Sequence, residues 1–316
     1  METPLISIIG PTAVGKTGLV LRLADRFGAE VISVDSMQVY RYMDIGTAKP
    51  ARSEQKMVKH HLIDIVDPDE EYNVSRFVID SENACKDISS RRKLPILAGG
   101  TGLYLRGFQE GIFAIDADNG FEKDIADNGI VDKLKNELAK KGRAILYERL
   151  KSCDPDSAAR IHPNDTSRLL RALEVFEKTG ISWSTHIARQ RERRQATRQI
   201  LKIGLTCDRN VLYDRINERT AKMFESGLIE EVNNLLEMGY ERNMKSMQSI
   251  GYRHAANYIF GEWDLQETIS QMARDTRHYA KRQLTWFGKD PQIIWFESER
   301  DKDISEQIDI YLKKET

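Results

Sequence analysis

The sequence predicts an α/β protein: a parallel sheet flanked by helices, with an all-helical insertion. Three observations lead there. First, residues 5–9 form an apolar, β-branched run that leads straight into Gly10-Pro11-Thr12-Ala13-Val14-Gly15-Lys16-Thr17. An amphipathic stretch follows, with Leu19, Val20, Leu23, Ala24 and Phe27 on one helical face. Second, further short apolar runs at 31–34, 62–65, 95–98, 201–205 and 293–296 are spaced by helical patterns, as in a sheet buried on both faces. Third, strand signals stop near residue 112 and helical periodicity takes over until about residue 199. The expected division is therefore 1–113 with 200–316 as the α/β core, and 114–199 as the helical insertion.

The first loop reads G-x-x-x-x-G-K-T, the P-loop pattern, between a strand and a helix as that pattern requires. Glycines let backbone N–H groups turn inward around an anion. The helix N-terminus adds unpaired donors and the positive end of its dipole. Lys16 can reach terminal phosphates, and the Thr17 hydroxyl suits a Mg²⁺ ligand. The motif leaves open whether the phosphate belongs to a nucleotide.

Residues 31–34 end in Asp35-Ser36-Met37-Gln38. Ligands of open α/β sheets sit at the carboxyl ends of strands, so Asp35 falls in the P-loop crevice. There a carboxylate can hold a metal through water or act as a general base. The bland alternative is an N-cap or turn aspartate; its strand-end position favours function. Residues 39–50 have no clean period and read as an ordered loop or lid. His60 and His61 lack partners at metal-ligand spacing and read as structural. A helix is expected over 74–91. Gly99-Gly100-Thr101-Gly102 then forms a second glycine-rich loop after the 95–98 strand, so its N–H groups and the Thr101 hydroxyl can face the same crevice.

In the insertion, helical runs are expected around 131–138 and 144–150, a short helix from Asp154-Pro155, and a strong helix ending at Thr179-Gly180. Its far end is the most basic stretch of the chain, with Arg189, Arg191, Arg193, Arg194, Arg198 and Lys202. Such a run is either a solvated face or a contact surface for a phosphate backbone. After the core resumes, Arg215, Arg219 and Lys222 precede an apolar helical stripe at 228–236. An arginine there either aims at a phosphate from the side opposite the P-loop or is an ordinary surface group. A long helix from 265 to about 283 mixes Arg274, Arg277, His278, Tyr279, Lys281 and Arg282, then Trp286 and Phe287. Its readings are a nucleic-acid face or a wet basic side. The tail after Glu297 reads as a peripheral helix.

With 316 residues and a net charge of −1, the chain can bury a sizeable core but has no global basicity to attract a polyanion. Three widely spaced cysteines, Cys85, Cys153 and Cys207, fit reduced thiols rather than disulfides or a zinc site. No signal peptide or membrane span is read from the sequence, which points to a cytoplasmic protein, and no apolar oligomerisation stripe stands out, which suggests a monomer.

Longer blocks carry a resemblance. GPTAVGKT at 10–17, DSMQVYRYMDIGTAKP at 35–50, HHLIDIVDP at 60–68, AGGTGLYL at 98–105, the stretch 154–180, R-x-x-x-M-x-x-x-G-L at 219–228, IGYRH at 250–254 and TRHYAKRQLTWF at 276–287 together resemble the tRNA dimethylallyltransferase family. The resemblance covers almost the whole chain and implies a P-loop NTPase-like core. It also implies transfer of a dimethylallyl group from dimethylallyl diphosphate to N6 of adenosine 37, beside the tRNA anticodon, with Mg²⁺. It implies that residues 10–17 hold the diphosphate, Thr17 the metal, and that Asp35 is the base, with Thr101 and Arg219 beside the diphosphate. Asp35, Ser36, Met37, Gln38, Thr101, Lys123 and the segment Ser167, Arg168, Leu169, Leu170, Arg171 match tRNA-contact positions. The insertion is implied to hold the anticodon stem-loop, and the basic runs to meet phosphates. Around residues 116–125, which include Lys123, the sequence departs from the family's Pro-rich, Arg-containing pattern. No Cys/His finger follows the core, as in the short bacterial type. Two alternatives from other classes are a P-loop kinase of a small metabolite and an RNA-binding protein whose P-loop only orders the fold.

Overall fold

The computed structural model describes residues 4–111, 128–192 and 199–315. The chain divides into two compact units, Met1–Ile112 with Arg198–Thr316, and Phe113–Thr197. The first holds strands β1 (Leu5–Ile9), β2 (Ala29–Val34), β3 (His60–His61), β4 (Leu94–Gly99), β5 (Ile200–Thr206) and β6 (Ile294–Glu297). Its helices before the insertion are α1 (Lys16–Phe27), α2 (Arg52–Met57), α3 (Val74–Ser90) and α4 (Gly102–Glu110). The second unit holds α5 (Asn128–Lys141), α6 (Arg143–Cys153), α7 (Pro155–Arg160), α8 (Thr166–Thr179) and α9 (Trp183–Glu192). The first unit then continues with α10 (Arg209–Glu225), α11 (Leu228–Glu237), α12 (Tyr252–Ile259), α13 (Leu265–Phe287) and α14 (Asp301–Glu315).

The six strands form one parallel sheet in the order β3-β2-β4-β1-β5-β6. Every residue of β1 and β2 is buried, so the strands read as continuous apolar runs rather than alternating ones. The pleat still sorts them. Leu5, Ile9, Ile32, Val34 and Leu97 join a core with Phe77, Tyr104, Val232 and Tyr252. Ile6, Ile8, Val31 and Ile96 join a second core with Leu19, Leu23, Ile216, Ile304 and Ile308. In the first core the rings of Phe77 and Tyr104 stack at 4.5 Å between centroids. The helical unit has its own core of Leu134, Leu146, Leu150, Leu169 and Leu173.

One expected strand is corrected. Residues 62–65 are not extended: β3 ends at His61, and Leu62 and Asp64 take left-handed backbone with φ of 63° and 56°. Tertiary partners override the local β preference. Asp64 and Ile65 donate their N–H groups to Gln38 O and Val39 O, Arg41 donates to Val66 O, and buried Lys49 binds the Asp64 carboxylate at 2.5 Å. This return segment walls the loop that carries Gln38.

Phe77→Ala removes the centre of the first core. It should lower the unfolding free energy by about 3–5 kcal/mol, read as a lower urea midpoint at unchanged slope; a midpoint equal to the parent's would remove Phe77 from the core's support.

Candidate active site

The register of the sheet assembles the site. Ile9 pairs with Gly99 on one side of β4, and Val34 pairs with the same Gly99 on the other. Three strands therefore end in line, and their next residues are Gly10, Asp35 and Gly100. The two glycine-rich loops and the strand-end carboxylate emerge side by side at the carboxyl edge of the sheet, as open α/β sheets place their ligands.

The P-loop starts with Gly10 at φ 149°, turns through Ala13 at φ 65°, and enters α1 through Gly15 at φ 105°. Val14 is fully buried and anchors the loop to the core beneath. Thr12, Ala13, Gly15, Lys16 and Thr17 line a cavity of about 400 Å³, faced across by Asp35, Gln38, Arg219, Tyr279 and Gln283. Lys16 Nζ folds back onto Gly10 O at 2.9 Å and Pro11 O at 2.7 Å. Burial lowers its pKa to about 7, with the Arg219 charge acting in the same sense and Asp35 opposing. Thr17 stands exposed at the start of α1.

Asp35 combines both readings open in the sequence. Its Oδ1 accepts Met37 N–H at 2.8 Å and Gln38 N–H at 3.4 Å, a turn-capping role. Among the described residues no group donates to Oδ2. Burial raises its pKa against the opposing pull of those N–H groups, Lys16 and Arg219; the carboxylate is thereby a stronger base than one in water. Arg219, on α10, donates to the Thr12 hydroxyl, and its own charge is disfavoured by burial. Lys16 and Arg219 thus face Asp35 across the cavity, whose rim adds Arg215, Lys222 and Glu218.

Thr101 caps the start of α4, and its Oγ1 accepts Ser36 N–H at 3.2 Å, tying the second glycine loop to the Asp35 turn. Gln38 is saturated: Ser33 donates to its Oε1 at 2.9 Å, and its Nε2 donates to Thr47 O and Ala48 O at 3.4 and 3.3 Å. Met37 packs against the first core.

The segment expected to be a lid is held from beneath. Glu231 on α11 accepts the N–H groups of Asp44, Ile45 and Gly46 at 3.0, 2.8 and 3.2 Å, and the Tyr252 hydroxyl at 2.5 Å. A Cβ on Gly46 would lie 2.4 Å from the Tyr252 ring. Lys49, 2% exposed in its side chain, bridges Asp44 and Asp64. The sequence by itself does not place Glu231, Lys49, Tyr279 or Gln283 at the site. Glu231 gives no motif signal; Tyr279 and Gln283 sit inside the YAKRQ block, and their four-residue spacing on one helix was the available clue.

Other expected site residues lie elsewhere. Ser167 and Arg168 are exposed on α8 of the helical unit, and Arg171 pairs with Glu174 at 2.9 Å. Leu169 is a correction: it is fully buried in that unit's core, so its side chain has no surface for RNA. Leu170 is half-buried. Lys123, Arg193, Arg194 and Arg198 lie outside the described residues, as does the side chain of Arg191. Lys202 leaves the basic run; it is 3% exposed in β5 and pairs with Asp290 at 2.5 Å. On α13, Tyr279 and Gln283 turn to the cavity, whereas Arg274, His278, Lys281, Arg282 and Trp286 are exposed.

A P-loop on a parallel sheet, facing a strand-end carboxylate and a half-buried arginine across one cavity, places the protein among the P-loop α/β proteins with a phosphate-binding site. Comparison with known proteins narrows the class. The family model described as IPP transferase matches residues 38–290. The tRNA dimethylallyltransferase 2 of Syntrophus aciditrophicus is 46% identical over 100% of this chain and 99% of its own length. The tRNA dimethylallyltransferase of Desulfotalea psychrophila is 46% identical over 99% and 97%. Among solved structures, the full-length tRNA isopentenylpyrophosphate transferase of Bacillus halodurans is 39% identical, with a TM-score of 0.71 over 99% of this chain and 98% of its own. A eukaryotic dimethylallyltransferase acting on tRNA is 30% identical, with a TM-score of 0.79 over 97% and 78%. The chain belongs to the IPP transferase family and is a prenyltransferase.

Glu231→Ala should free the 44–46 backbone. Amide exchange at Asp44, Ile45 and Gly46 is expected to speed up at least about tenfold relative to the parent; protection unchanged in the variant would assign the loop's order to other contacts.

Proposed function

We propose that this chain transfers the dimethylallyl group of dimethylallyl diphosphate to N6 of adenosine 37, beside the anticodon of tRNA, releasing diphosphate and forming N6-(dimethylallyl)adenosine. The observation that carries the reading is the shared cavity. It sets a carboxylate made more basic by desolvation opposite an anion cradle flanked by Lys16 and Arg219. Cradle and base alone would also suit a kinase; membership of the IPP transferase family supports a prenyl donor instead.

The diphosphate lies on the N–H groups of the P-loop, with Lys16 leaving its Gly10 and Pro11 carbonyls for phosphate oxygens and Arg219 approaching from α10. As the C1–O bond breaks, its electron pair leaves on the diphosphate, whose growing charge these donors stabilise. The adenine N6 lone pair forms the new bond to C1, and Asp35 Oδ2 takes the N6 proton. Thr101 keeps the Asp35 turn and the second glycine loop together. The target base must leave its stack to reach this cavity.

The donor set also fits Mg²⁺. The exposed Thr17 hydroxyl at the P-loop edge would supply one protein ligand. Mg²⁺ keeps several waters and takes most of its other oxygens from substrate phosphates. When bound, Mg²⁺ would neutralise phosphate charge. Phosphates of the tRNA are assigned to Ser167, Arg168 and Arg171 on α8 and to the exposed cations of α13, with the protein acting as a monomer. No described helix is long and apolar enough to cross a membrane.

The deciding experiment is transfer of labelled dimethylallyl from its diphosphate to unmodified tRNA with Mg²⁺, with ATP tested in parallel. Label on the adenosine next to the anticodon is expected; ATP turnover with a small acceptor and no prenyl transfer would overturn the reading. Asp35→Ala should keep tRNA binding but lose about two to four decades of kcat, and a near-normal rate would remove Asp35 from the chemistry.

The pH dependence follows from Lys16. Only the ammonium attracts the diphosphate, and burial sets its pKa in the free protein at about 7. The donor's kcat/KM should therefore decline as pH rises above about 7, while kcat, with the lysine already charged by bound diphosphate, declines at higher pH. Lys16→Arg stays charged and should lose that alkaline limb. A limb that persists in Lys16→Arg would assign it to another group.

A further inference from the structure

One side chain ties the two glycine-rich loops together. Gln283, 5% exposed on α13, accepts Thr12 N–H on Oε1 at 2.8 Å and donates from Nε2 to Gly100 O at 3.0 Å. The space it uses exists because residue 100 is glycine: a Cβ there would lie 2.0 Å from Nε2. Both ends of the bridge continue into the site. Thr12 is held a second time, its hydroxyl accepting from Arg219. Gly100 leads into Thr101, whose Oγ1 accepts the N–H of Ser36, the residue after Asp35. Tyr279, one turn earlier on α13, lines the same cavity beside Gln283.

Two consequences follow. The Thr12 N–H is committed to the protein, so the donors left for an anion begin at Ala13. The orientation of the peptide that opens the cradle is set by α13 rather than by the loop itself. Moreover, the bridge needs one acceptor and one donor at the end of a neutral side chain of this length, which the glutamine amide supplies. A thioether of similar volume would strand a buried N–H and a buried C=O. A carboxylate would oppose the Gly100 carbonyl and add negative charge beside the diphosphate.

We propose that Gln283 is a positioning residue: its amide locks the P-loop and the 99–101 loop in one register, so that the diphosphate on the first and Asp35, anchored through the second, stay at reacting distance. This rests on the transfer reaction proposed above. Misplacement of about an ångström can cost two decades in rate, so the lock is expected to act on transfer more than on tRNA affinity.

The test uses the full chain as parent, Gln283→Met and Gln283→Glu. It measures kcat and KM for dimethylallyl diphosphate at saturating tRNA, tRNA affinity, inorganic diphosphate affinity, and thermal unfolding. Gln283→Met should lose about 10- to 100-fold in kcat/KM for the donor, with tRNA affinity within about threefold of the parent. Gln283→Glu should be impaired most at pH 8, and its activity relative to the parent should recover toward pH 5.5. Protonation restores both a donor and an acceptor at that position, a rescue that a purely structural role would not produce. The inference fails if Gln283→Met keeps kcat/KM within twofold, if its loss falls on tRNA affinity, or if the Gln283→Glu deficit is independent of pH. Should Gln283→Met not fold, the pH profile of Gln283→Glu decides. Should the parent transfer no prenyl group, the proposed reaction falls, and diphosphate affinity decides the lock separately: at least fivefold weaker binding in either variant upholds it, and parental affinity refutes it.

Discussion

The alignment of three parallel strand ends is the constraint on which the rest depends. Ile9, Gly99 and Val34 lie in one row of the sheet, and a one-residue slip of β4 would move the second glycine loop off the line and invert which side chains face each core. Gly99 makes the row possible, since a Cβ there would sit 2.1 Å from Val34 O. Cores on both faces hold the register, so the geometry at the edge is set by apolar burial well away from the chemistry. Loops that would otherwise be mobile inherit fixed starting points.

Charge in the cavity follows from that arrangement. Lys16, Arg219 and Asp35 are brought together in a partly enclosed cavity, and desolvation disfavours the charged form of each. The attractions between them offset only part of that cost, since the two cations also repel. A bound diphosphate would reverse the balance for both cations while leaving Asp35 basic. The free protein thus stores a preference for an anionic ligand in its own desolvation.

The wall opposite the P-loop is built by buried polar contacts rather than by regular structure. Residues 39–50 form turns, with one bridge between Tyr40 and Val66. They are pinned at three points: the Glu231 carboxylate on three consecutive N–H groups, buried Lys49 between Asp44 and Asp64, and Gln38 on Thr47 O and Ala48 O. A loop pinned at three points by buried polar contacts is held in place without regular secondary structure.

From the sequence alone came the parts that local physics encodes. Apolar runs without alternation gave a buried parallel sheet, β-branched residues before a G-x-x-x-x-G-K-T loop gave the strand-loop-helix unit, and strand-end position placed Asp35 and Thr101 at the sheet's carboxyl edge. The long motif blocks identified the family. The tertiary structure alone decided what depends on contacts distant in sequence. It turned residues 62–65 from a strand into the partner of residues 38–41, because side-chain and backbone partners there outweigh β preference. It buried Leu169 and Lys202, which a charge or motif reading had left facing RNA, because helix phase and strand pairing set which way they point. It also joined Gln283 to Thr12 and Gly100, 271 and 183 residues away in the chain. Periodicity reports the face a residue occupies; only the packed chain determines which group it meets there.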